Sequence, residues 1–173
     1  MSRHELSREQ LLQFLAPPIA DAVLAASGDP LAPRRLHASV LSCDVSGFRG
    51  LVSVDERAAF EVLGTILEGA AAAIYAESGT LMSFPGDGAL AVFGAPIEDP
   101  EHRRQAKRAA AAIAGPVIEA AALELERRDL PAIGIDVAIE SGELVAGVIG
   151  AAPRWEYAAI GAPTSRAVGR TSG

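Results

Sequence analysis

The segment from Thr80 to Phe93 constrains the fold more than any other. Two apolar runs, Thr80-Leu81-Met82-Ser83-Phe84 and Ala89-Leu90-Ala91-Val92-Phe93, are separated by Pro85-Gly86-Asp87-Gly88. Pro presets one backbone angle of a turn, and Gly and Asp tolerate the rest, so the segment predicts a β-hairpin. Its turn carries an aspartate flanked by glycines. A second aspartate, Asp44, closes the apolar run Leu36–Val45 and is followed by Ser46-Gly47-Phe48.

The neighbouring pattern supplies the other elements. Leu36–Val45 is mostly apolar, as a central strand is, and Ser46-Gly47-Phe48-Arg49-Gly50 turns the chain. Ser53-Val54-Asp55-Glu56 has capping-box spacing and opens a helix from Asp55 to Glu77, which Ser78-Gly79 stops. Asp99-Pro100-Glu101 places an N-cap and a first-turn proline before a helix to Ala114. Gly115-Pro116 breaks or kinks that helix, which continues to Arg128. Ile133–Glu140 reads as a strand, Ser141-Gly142-Glu143 as a turn, and Leu144–Ile149 and Glu156–Ile160 as further strands. At the N-terminus Ser7-Arg8-Glu9-Gln10 is another capping box, ahead of helical periodicity interrupted at Pro17-Pro18. We therefore expect a leader and linker over residues 1–35 and a domain over 36–173. The order predicts an α+β fold, a ferredoxin-like split βαβ antiparallel sheet with helices on one face. Such a sheet brings the end of the first strand beside the hairpin, so Asp44 and Asp87 converge.

Half of the 173 residues are hydrophobic but only 5% are aromatic, so Ala, Leu, Val and Ile fill the core. A net charge of -7 argues against nucleic-acid binding. The basic run His102–Arg108 reads as a solvated helix face. The lone Cys43 reads as a buried small hydrophobe, with no disulfide framework or zinc spacing. No signal peptide or membrane segment is visible, and a cytoplasmic location is the default expectation. There is no Walker loop, Rossmann fingerprint or nucleophile elbow.

Two carboxylates in one pocket repel unless a proton or cation neutralises them. Magnesium takes a few carboxylates together with phosphate oxygens, and the backbone N–H groups of Val45-Ser46-Gly47-Phe48 suit phosphate. Spacing alone leaves plain turn or cap roles open for both aspartates.

Five stretches resemble the class III nucleotidyl cyclase homology domain, the adenylate/guanylate cyclase catalytic family. They are Ser39–Phe48, Ser78–Pro96, Glu101–Ala106, Ala138–Gly150 and Arg154–Gly161. The resemblance implies two metal aspartates, Asp44 and Asp87, holding Mg2+ or Mn2+ as a two-ion site. It implies ATP or GTP as nucleotide, contacts from Val45, Gly47 and Phe48, and a homodimer or a heterodimer with another cyclase-type domain.

The departures from that family pattern are as informative. Ser83 stands where the family has a purine-selecting lysine, and Ala158 at a second base-selecting position. Ser165 replaces a ribose-orienting asparagine. Gly169 replaces a phosphoryl-stabilising arginine, with Arg166 and Arg170 nearby but out of register. A later segment with a phosphate-binding lysine has no counterpart, as though the domain were truncated at its C-terminus. Each lost donor to developing charge costs about 3 kcal/mol. The expectation is a degenerate cyclase domain with impaired turnover that signals by dimerisation and metal-nucleotide binding. The alternative is an active cyclase, alone or as half of a heterodimer.

Overall fold

The computed structural model describes residues 6–151 and 153–171; residues 1–5, 152, 172 and 173 lie outside it. The element order is α1 (Arg8–Leu11), α2 (Pro17–Ala25), β1 (Arg34–Ser46), α3 (Phe48–Val54), α4 (Glu56–Ala76), β2 (Thr80–Ser83) and β3 (Gly88–Phe93). Then come α5 (His102–Ala112), a π-helical turn (Ile113–Val117), α6 (Ile118–Arg127), β4 (Gly134–Ala151), β5 (Arg154–Ile160) and α7 (Ala162–Thr171). The strands form one sheet in the order β2-β3-β1-β4-β5. Each neighbouring pair is antiparallel. This is the expected α+β sheet, with β1 at its centre.

Strand β1 alternates its side chains between two cores. Leu41, Cys43 and Val45 meet the long helices α4, α5 and α6. The buried residues of α4 recur at Ala58, Val62, Ile66, Ala70 and Ile74, one turn apart, so a single stripe packs on the sheet. Helix α4 is long and apolar enough to span a bilayer by length and composition alone; here its apolar stripe packs in a protein core. Leu36, Ala38 and Val40 point the other way. They pack with Leu144, Ala146 and Tyr157, with Leu11, Phe14, Ala20 and Val23 of the N-terminal segment, and with Ala167 of α7. The long helices keep to one face as expected, and the short ones, α7 and the N-terminal pair, cover the other, which the expectation of helices on one face had left bare.

Five local expectations change. Residues 134–151 form one unbroken strand of 18 residues, with no turn at Ser141-Gly142-Glu143. Gly142 lies opposite Ala38 in the ladder, and a Cβ there would come 3.2 Å from Pro163. That glycine serves close approach of α7, not reversal. The turn after β1 is a single left-handed residue, Gly47 at φ 81°, and Phe48 already opens α3. Ser53 lies inside α3; Asp55 is the N-cap of α4, accepting from the Ala58 N–H at 2.9 Å. Asp99 accepts from the Glu101 N–H and the Gln105 side chain, but the cap residue of α5 is Glu101. Gly115-Pro116 falls in the π-helical turn, where widening accommodates a residue with no N–H to donate.

The Asp55 cap yields the first prediction. Asp55→Ala removes the acceptor for Ala58 and lowers stability by about 1 kcal/mol, measured by urea denaturation. Asp55→Ser recovers most of it. An unchanged midpoint in Asp55→Ala contradicts the assignment.

Candidate functional site

The site is built at one end of β1. In the ladder Asp44 stands opposite Gly88 of β3 on one side and Asp136 of β4 on the other. Gly88 allows the two central strands to close up: a Cβ there would lie 2.0 Å from the carbonyl oxygen of Cys43. That approach brings the hairpin turn onto the strand, and the Val45 N–H donates to the Asp87 carbonyl at 3.3 Å. The turn thereby sets Asp87 beside Asp44, close enough for its charge to act on the Asp44 carboxyl. Asp87 and Asp44 are half-buried, whereas Asp136 is exposed.

The Asp44 carboxyl is held above the usual carboxylate range. Burial is the largest cause, followed by the charge of Asp87, the hydrogen bond with Asp87, and the charge of Asp136. Acids this close share a proton or recruit a cation. Among the described residues no group of three or more acidic, histidine or cysteine side chains forms a closed cage. Two converging carboxylates, open on one side, suit magnesium or manganese, which keep water or phosphate oxygens as remaining ligands.

The other predicted residues are distributed around this pair. The Val45 N–H is engaged by Asp87 and its side chain is buried toward α3 and α4. A Cβ on Gly47 would lie 3.2 Å from the Ala132 carbonyl. Phe48 packs against the cluster of Val45, Leu51 and Val62. Ser83 ends β2, at a register shift. Ala158 lies opposite Gly147 on β5, between Tyr157 and Ala159, which both point into the core under α7. Alternation then puts Ala158 on the face opposite to that of Asp44. Ser165 is exposed on α7, its hydroxyl 3.4 Å from the Gly161 carbonyl.

Arg166 and Arg170 do not reach the carboxylate pair. Arg166 Nε lies 3.1 Å from Glu140 Oε2 and Arg170 Nη1 lies 2.8 Å from Glu140 Oε1. Glu140 pairs with Val40, four residues along β1 from Asp44, a separation of roughly 13 Å at strand rise. Helix α7 is anchored between these levels by a 2.7 Å hydrogen bond between the Thr171 and Ser42 hydroxyls.

Comparison with solved structures places the fold. The chain superposes on the guanylyl cyclase Cya2 with a TM-score of 0.71 and 24% identity, covering 78% of this chain and 68% of that one. For the adenylyl cyclase CyaB from P. aeruginosa the values are 0.71 and 21%, covering 82% and 74%. The chain has the class III nucleotidyl cyclase fold. A bacterial light-regulated adenylyl cyclase shares that fold with a TM-score of 0.72 at 15% identity, over 95% of this chain and 46% of that one. No family profile matches the sequence. Among curated proteins, the uncharacterized protein Rv1319c of Mycobacterium tuberculosis is 31% identical over 132 residues, 76% of this chain and 23% of its own length. The uncharacterized protein Rv1318c of the same organism is 33% identical over 89 residues, 51% of this chain and 15% of its own length. The cyclase-fold chain thus spans about a quarter or less of the curated relatives it matches.

Sequence reasoning missed Asp136 and Glu140. Both are polar residues in an apolar strand, and that was their only local signal. Asp136 adds its charge beside Asp44, and Glu140 holds the two arginines away from the pair, both through their register on β4, a property of strand pairing.

Proposed function

We propose that this domain binds a divalent metal–nucleoside triphosphate through Asp44 and Asp87, that its own cyclase turnover is impaired, and that it signals by pairing with a second cyclase-type domain. The expected boundary at residues 35 and 36 falls inside β1, so the functional unit starts no later than Arg34 and the segment before it packs on its core. The observation that carries the reading is the convergence of the two carboxylates on the central strand and its hairpin. Bound Mg2+ or Mn2+ supplies charge neutralisation at the phosphate oxygens of ATP or GTP. Asp44 and Asp87 hold that charge in place, and the turn at Gly47 brings backbone close to it.

Impairment follows from what surrounds the pair. Cyclisation needs the ribose 3′-hydroxyl aimed at the α-phosphorus and a donor on the charge that develops as pyrophosphate leaves. Ser165 is a short side chain facing solvent. Arg166 and Arg170 are bound to Glu140, roughly 13 Å along the sheet from Asp44. Ser83 and Ala158 offer little with which to read a purine edge. The same separation favours a heterodimer as the route to any activity, because an arginine serving these carboxylates then comes from a second chain.

Quantifying cyclic nucleotide from ATP and from GTP, in magnesium and in manganese, tests this. Turnover below about 0.01 s⁻¹ is expected, at least 100-fold under the low end of ordinary enzyme rates. Turnover of about 1 s⁻¹ or more, lost in Asp44→Asn, makes the domain an active cyclase and overturns the impairment.

A further inference from the structure

The junction of α3 and α4 presents apolar surface that none of the described residues covers. Val52, Val54 and Phe60 are 36%, 62% and 79% exposed. Val52 and Val54 line a hollow of about 500 Å³ together with Arg49, Ser53 and Glu56. Phe60 follows Glu56 by one turn of α4, so it stands beside that hollow on the same side of the helix. Helix α4 is also more apolar than its own core uses, since 33% of its most apolar stretch is buried in this chain. One turn beyond Phe60, Gly64 is exposed, and a Cβ there would meet nothing within 4 Å. Glycine weakens an exposed helix, and here its bare backbone returns nothing within this chain.

Two charges at the hollow are unused. Arg49 and Glu56 make no ion pair or side-chain hydrogen bond among the described residues. Arg57, beside them, is paired with Glu61 at 3.1 Å. One free cation and one free anion flanking an apolar hollow complement themselves across a two-fold axis.

We infer that this face docks a second copy of the chain, Phe60 of each copy entering the other's hollow and Arg49 of each meeting the other's Glu56. The aromatic ring is the anchor, because it buries a large area and loses little rotamer freedom. The two rim pairs fix the placement, since a shift that sets Arg49 against Arg49 is repelled. A net charge of -7 opposes general self-association, so local complementarity carries the contact. The bare backbone at Gly64 lets the second copy come close. The long helices lie on the face of β1 that carries Leu41, Cys43 and Val45, and Asp44 projects from the other. Association here therefore leaves the carboxylate face free, and it rests on neither the metal nor the nucleotide proposed above.

Sedimentation velocity over a range of protein concentrations, in EDTA and without nucleotide, tests this. The wild type is expected to dimerise with a micromolar Kd, as a small interface with one anchor per copy gives. Phe60→Glu is expected to weaken association by about thirtyfold or more. Phe60 is exposed, so an unchanged Tm shows that the variant still folds. Arg49→Glu and Glu56→Arg are each expected to stay monomeric alone, through like charges across the axis, and to associate when mixed in equal amounts. A merely local role for either residue gives no such rescue.

A dimer that survives Phe60→Glu, or single variants that stay monomeric in the mixture, overturns the proposal. So does a monomeric wild type, and Phe60-dependent capture by phosphatidylcholine vesicles would then assign the patch to a membrane surface. Asp87→Asn is expected to leave the dimer unchanged. A dimer lost in Phe60→Glu, in a protein that shows no metal-dependent nucleotide binding, keeps this inference and loses the proposed function.

Discussion

Replacing Gly88 by alanine is expected to destabilise the fold by about 3 kcal/mol or more and to disconnect the carboxylate pair at the same time. The added Cβ would sit 2.0 Å from the Cys43 carbonyl oxygen and 3.3 Å from the Asp44 Cα. These are backbone atoms of the central strand, hydrogen-bonded on both edges, so no rotamer change relieves the clash. The ladder between β1 and β3 must open where Asp44 faces Gly88. Asp87, the residue before it, then moves away from Asp44. Urea denaturation reads the first effect. The second appears as loss of metal-stimulated nucleotide binding in whatever fraction stays folded. A Gly88→Ala protein with wild-type stability would contradict the close strand approach on which the site depends. Gly50 is the control: a Cβ there meets nothing within 4 Å.

Asp44→Asn is expected to raise the thermal stability of the metal-free protein at neutral pH, by about 2–4 °C, while abolishing its response to metal. Burial and the charges of Asp87 and Asp136 raise the folded-state pKa of Asp44 above its ordinary 3.8. Between the unfolded and folded values the native state binds more protons than the unfolded state. Stability contributed by this group therefore falls as pH rises through that window and stays low above it. Asparagine removes the ionisation and with it the loss. At pH below the ordinary carboxylate value the two proteins should converge. Manganese with ATP should raise Tm of the wild type by mass action and leave the variant unmoved. A lower Tm in Asp44→Asn at pH 7 in EDTA would show that Asp44 has a structural role instead.

Local features of this chain were legible where local chemistry decides them. The hairpin around Asp87 is announced by Pro85-Gly86-Asp87-Gly88 between two apolar runs. The Ser7 capping box forms as its spacing indicates, with Ser7 and Gln10 bonding reciprocally. The convergence of Asp44 and Asp87 followed from the order of strands and helices, because a split βαβ arrangement leaves few ways to place the hairpin. What was not legible depends on pairing across the sheet. Gly142 looks like a turn residue, but its lack of a side chain is used to admit Pro163 of α7. Helix α7 itself contains Pro163, Ser165 and Gly169, poor helix formers, and it is held instead by Ala167 in the core and Thr171 on Ser42. Arg166 and Arg170 read as out-of-register stand-ins for a phosphoryl-stabilising arginine, and only the register of β4 shows that both are paired with Glu140.

The metal-nucleotide role of the carboxylate pair is decided by the affinity of ATP and of GTP for wild type and Asp87→Asn, each in saturating manganese and in EDTA. Manganese is expected to tighten binding to the wild type by about tenfold or more, a coupling of at least about 1.4 kcal/mol. In Asp87→Asn that ratio should collapse to near one. An undiminished manganese effect in Asp87→Asn would show that the converging carboxylates are not the metal-nucleotide site.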